Sequence, residues 1–241
     1  MRMPVNQDSS SSGKFISYAD IRRFVGWLGF SLPFVLPIGY VIFFSRHNFA
    51  RSISGYYYTG MRNYLVAALC VLGVLFIAYD AYHDKLDIWI TNLAGIFAVG
   101  VAFFPTEPVA ASAHQKDIGH IHFVFAALLF TMLAVMALRF TKTNPDGHPT
   151  SQKSRRNIIY ITCAALIAAS MLVAFIANFL PAAIKQSMPS LFWFEAIAVV
   201  AFSFSWLVKG AAFPVLNDKP SVAEPASAGT GDSSARRVET A

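Results

Sequence analysis

Charge is scarce in this chain. Only 13% of its 241 residues are Asp, Glu, Lys or Arg, about half of what a water-soluble domain carries. Cysteine is rarer still, with Cys70 and Cys163 alone, each inside an apolar run. That excludes a disulfide framework and a cysteine-based metal motif, and leaves both as small apolar residues. Acid is short relative to base, 13 residues against 19, giving a net charge of +6. No nucleophile-elbow pattern occurs, so nothing in the order of residues announces a serine hydrolase.

Apolar residues are abundant, at 56%. They fall into six runs, at 24–44, 64–82, 87–104, 119–140, 158–180 and 191–213, each near the ~20 helical residues that cross a hydrocarbon core. The expected fold class is all-α, a polytopic membrane protein with a bundle of six transmembrane helices over 24–213. A polar tail, 1–23, precedes it and a disordered tail, 214–241, follows. The first run is longer than the ~7–15 residues of a signal-peptide core, and Ser45-Arg46-His47-Asn48 after it offers no small-residue cleavage pattern. It reads as a retained helix. Pro33 and Pro37 predict a bend within it. Ala94, Ala98 and Ala102, with Gly95 beside them, predict a close helix contact along the third run.

The basic residues are unevenly placed. Five (Arg46, Arg51, Arg62, Lys116 and Lys185) fall in segments on one side of a six-helix topology, and the other fourteen on the opposite side. The positive-inside rule then puts both termini in the cytoplasm, with the chain in the cell inner membrane. This pattern reads as topology, not as a nucleic-acid surface. The expected partners are the lipid bilayer and a lipid or small-molecule ligand, with no nucleic acid.

One polar stretch stands out, Ser52-Ile53-Ser54-Gly55-Tyr56-Tyr57-Tyr58-Thr59-Gly60-Met61-Arg62-Asn63, at the extracytoplasmic mouth of helix two. At the same expected depth lie His120 and His122, opening helix four, and Glu195, one turn into helix six. A carboxylate near apolar surroundings calls for a partner, and Arg62 is the expected one, in a bidentate pair. His120 and His122 can face one ion only if their segment is extended, because helical residues two apart point about 200° apart. No metal and no cofactor is expected. The candidate pocket comprises Ser52, Ser54, Tyr58, Thr59, Arg62, His120, His122 and Glu195, at the ends of helices 2, 4 and 6. The function it suggests is binding of a small molecule or lipid headgroup. One alternative is a hydrolase acting on a lipid or amide, with Ser52, Ser54 or Thr59 as nucleophile, a histidine as base and Glu195 as its orienter. Another is a small-solute or proton-coupled transporter, which the apolar midplanes disfavour. A third is a scaffold without ligand.

Several strings resemble a known family: Ser52 to Arg62, Ala102 to Thr106, Gly119 to Phe123, Phe192 to Glu195 and Ser205 to Gly210. Together they resemble a bacterial multi-pass membrane family, domain-of-unknown-function family 998. The resemblance implies a multi-pass fold and leaves the activity open. A remoter similarity is to the CREST superfamily of membrane hydrolases, which includes zinc-dependent alkaline ceramidases. Their early motif, a serine followed four residues on by histidine, meets Ser54 and Tyr58 here. Their late His-x-x-x-His, on a seventh helix, meets His120-x-His122 on the fourth.

Overall fold

The computed structural model describes residues 17–45, 49–79, 84–108, 110–142, 150–179 and 191–218, without the side chains of 178 and 179. Arg46, Lys185, the last residues of the second apolar run from Asp80 on, residues 144–147, the Asn178 side chain and most of both tails lie outside these residues.

Six α-helices occur among the described residues: α1 (Tyr18–Phe44), α2 (Arg62–Ile77), α3 (Lys85–Phe103), α4 (Ala113–Arg139), α5 (Ser151–Phe179) and α6 (Leu191–Lys209). Short 3-10 turns lie at Ser54–Tyr58 and Pro214–Leu216. Five of the six helices are long and apolar enough to cross a membrane, and α2, with 16 residues, is shorter. The apolar runs placed the helix cores, and polar caps lengthened some of them. Ser112 forms a capping box with Gln115, so α4 starts six residues ahead of its apolar run. Ser17 and Asp84 cap α1 and α3 through Asp20 N and Leu86 N. Helix α1 continues through Pro33 and Pro37.

The helices form a ring in chain order. Each packs on the next, and α6 closes the circle against both α5 and α1 while also touching α4 across it. Glycines set the closest approaches. A methyl on Gly95 would stand 2.6 Å from the Gly73 carbonyl oxygen of α2, and one on Gly26 would stand 3.0 Å from Ser203 O of α6. Large apolar side chains such as Trp27, Ile42, Phe43, Val74, Trp89 and Ile158 point out of the ring and are exposed. Such a surface suits lipid and would be an aggregation liability in water.

Polar contacts gather the helix ends into two levels. At one, Arg22 Nε of α1 donates to Tyr79 Oη just past α2 at 2.5 Å, and Arg23 Nε donates to Gly210 O beyond α6 at 2.8 Å. At the same end Arg139, the last residue of α4, grips Asp87 and Asp84 at the start of α3, and Lys142 adds a 2.7 Å contact to Asp84. Lys153 near the start of α5 donates to the carbonyls of Phe140 and Lys142. At the other level, Phe192 N of α6 donates to Arg51 O at 2.7 Å. Tyr58 Oη donates there to Thr106 O beyond α3, also at 2.7 Å. Successive helices therefore run in alternating directions, and α2 links the two levels despite its length.

Candidate functional site

The ring is not solid. Between α1, α2, α3, α4 and α6 lies a cavity of about 70 Å3 whose wall is almost wholly apolar. Leu65, Leu69 and Leu72 of α2 face Ala98 and Val101 of α3 and Leu129 and Leu133 of α4 across it. Its floor is Phe76 and Phe202, both packed at a tilt against the fully buried Trp206. Its roof is the Ser54–Tyr58 turn, which brings Ile53 and Ser54 to the cavity beside Glu195.

Glu195 is the ionisable group on this wall. It lies one turn into α6, and its Oε2 accepts the backbone N–H of Ile53 at 2.5 Å and, more weakly, that of Ser54 at 3.4 Å. A carboxylate satisfies these two amides because the first residues of a helical turn have no acceptor of their own. Oε1 accepts no hydrogen bond from a described residue, and no described Lys, Arg or His side chain lies within ion-pair distance of the carboxylate. The turn is further fixed by Ser52 Oγ, which accepts from Gly55 N at 2.8 Å, and by Thr59 Oγ1, which donates to Tyr56 O at 2.7 Å. Tyr56 is fully buried and edge-packed on Tyr40 and Phe192, so its ring anchors the roof. Burial raises the Tyr56 and Tyr58 hydroxyls above the usual tyrosine range, so both are neutral at physiological pH.

The eight residues singled out from sequence separate into distinct environments. Glu195 and Ser54 line the cavity. Ser52 and Thr59 hold the roof by local bonds, and Tyr58 ties it to Thr106 O. The expected Arg62–Glu195 pair is not formed. Arg62 is exposed, donates to Tyr57 Oη at 2.6 Å and stacks on the same ring at 4.2 Å. The two histidines part company because their segment is helical. His120 is exposed, whereas His122 is 7% exposed and its Nδ1 meets Phe104 O at 2.6 Å. A carbonyl only accepts, so Nδ1 carries the proton. His122 borders a crevice of about 10 Å3 with Ser54, Tyr57 and Val101, next to the main cavity. Ser54 and His122 share that crevice without a hydrogen bond between them.

The zinc that the CREST similarity implies does not fit these residues. Among the described residues no three His, Cys, Asp or Glu side chains converge, and Tyr58, at the position of the motif histidine, spends its hydroxyl on Thr106 O. Sequence reasoning missed the body of the cavity, because Leu65, Leu69, Val101, Leu129 and Leu133 look like any lipid-soluble core. It also missed Asp87 and Arg139, whose contact spans 52 residues. Here the signal was available: an acid and a base sat at facing ends of consecutive apolar runs.

An all-helical ring with lipid-suited outer walls and a capped internal cavity defines an integral membrane protein. The strings quoted above agree with a family match over residues 51–210, to the family described as Protein of unknown function (DUF998). The chain belongs to that family. No curated protein and no solved structure matches it.

Proposed function

We propose that this protein binds a small amphiphilic molecule, or the polar end of a lipid, in the ring cavity, with Glu195 as the polar contact. The observation that carries this reading is a carboxylate on an almost wholly apolar wall, with one oxygen used by the roof and the other without a hydrogen bond from any described residue. Carboxylates at such depth are costly and mark functional sites. Ser54 extends the polar end; Ser52, Tyr58 and Thr59 shape its roof, and His122 borders the adjoining crevice. Arg62 and His120 contribute at the rim, outside the cavity. The chain acts as six spans in a cell inner membrane with both termini cytoplasmic. The alternating ends and the cluster of Arg22, Arg23, Arg139, Lys142, Lys153 and Arg156 at one level support that orientation.

The test is saturable binding. Purified full-length protein in detergent should bind n-pentanol at one site per chain, and Ala98→Phe, which fills the cavity from α3, should abolish it. Equal, non-saturating uptake by both proteins would count as bulk partitioning and end the proposal.

A further inference from the structure

We infer that the cavity's ligand carries a cation, and that its class is a short, apolar-bodied amine with an ammonium group seated on Glu195. This rests on the cavity being the binding site. It adds the charge and size of what enters.

The first support is the charge balance around Glu195. Glu195 is half-buried, and a carboxylate withdrawn from water is ordinarily neutralised by Arg, Lys or His, because a lone ion is costly to desolvate. Arg62, the partner expected from the sequence, is turned away onto Tyr57. His122 is held by Phe104 O at the neighbouring crevice, and no described cation lies within 4 Å of Glu195. Two backbone amides satisfy one oxygen only. A ligand ammonium reaching Oε1 would supply both the missing donor and the missing charge, as a charge-assisted hydrogen bond in a low dielectric. An anionic ligand would meet repulsion from Glu195, and among the described residues no Lys or Arg lines the cavity.

The second support is shape and lining. Behind Glu195 the wall runs through leucines, Val101 and Val199 to the rings of Phe76 and Phe202, offering an ammonium's substituent apolar contact and no competing acceptor. Phe76 and Phe202 close the far end, so length is limited. One water needs roughly 10–15 Å3, so a space of about 70 Å3 suits a short chain better than a long one. n-Pentylamine, with one nitrogen and five carbons, is a probe of that class.

The experiment compares n-pentylamine, n-pentanol and pentanoate at pH 7 by calorimetric titration of the full-length protein in a non-ionic detergent, with Ala98→Phe as the blank. The inference expects the amine to bind at least ten-fold tighter than the alcohol, pentanoate not to bind, and Glu195→Gln to erase the amine's advantage. If amine and alcohol bind equally and Ala98→Phe removes both, the cavity is a binding site but the ammonium assignment is overturned. If neither exceeds the Ala98→Phe blank, the binding site itself falls, and this inference with it. The wild-type comparison decides the matter even if Glu195→Gln does not fold.

Discussion

Glu195 ties α6 to the roof of the cavity through one of its two oxygens. Oε2 serves the roof. Replacing Glu195 with alanine strands the Ile53 and Ser54 amides in a partly buried site, and should lower unfolding stability by about 1–3 kcal/mol. Glutamine keeps a carbonyl acceptor and should cost well under half of that, as read by thermal unfolding in detergent; equal losses would mean the amides are not held by this residue. Arg62 is the second residue to test. Its exposed stacking on Tyr57 is worth roughly 0.5–1 kcal/mol, so Arg62→Ala should be mild. The exchange Arg62→Glu with Glu195→Arg should be no better than Glu195→Arg alone. Recovery in the exchanged protein would show that the two residues do pair. Asp84 gives a pH readout. Its carboxyl is pulled from the ordinary 3.8 down to about 2, first by Lys142 and then by the Leu86 amide it caps. A depressed carboxyl lends stability that is complete above the ordinary value and is lost as pH falls through about 2. Acid loosening of the α3–α4 end, followed by limited proteolysis from pH 5 to 2, should therefore flatten in Asp84→Asn.

At the level of helices, glycine decides how close the walls of the ring come. Helix propensity favours alanine over glycine by about 1 kcal/mol, which alone would make Gly95→Ala stabilising. The new methyl, however, would stand 2.6 Å from the Gly73 carbonyl, a backbone atom that no rotamer change can move. Overpacking of this kind costs about 1–3 kcal/mol, so the collision should win and the midpoint of thermal unfolding should fall. A rise would show that α2 and α3 can separate without penalty. Among Ala94, Ala98, Ala102 and Gly95, the ridge visible in sequence, Gly95 meets α2 and Ala98 lines the cavity. Spacing revealed the ridge but not which neighbour each member would face, because three- and four-residue spacing fixes a helix face and leaves its partner open.

For the molecule as a whole, length alone leaves α2 ambiguous: 16 residues rise about 24 Å, short of a ~30 Å hydrocarbon core. Its two ends nonetheless meet the two levels of the ring, at Tyr57–Arg62 and at Tyr79–Arg22. Reporters fused to the two termini should therefore appear on the same side of the membrane, as six crossings require; opposite sides would leave five. The sequence by itself determined that the chain is helical and membrane-embedded, where each helix core lies, and that Ser52–Arg62, His122 and Glu195 are unusual. These follow from local facts: apolar run length, capping residues and charge scarcity. Only the tertiary structure decided that Glu195 takes backbone amides while Arg62 takes Tyr57, that His120 and His122 diverge on a helix begun early by Ser112, and that ordinary leucines enclose a cavity. Those outcomes depend on the rotation of each helix within the ring and on contacts such as Ile53–Glu195, 142 residues apart. No local pattern carries that information.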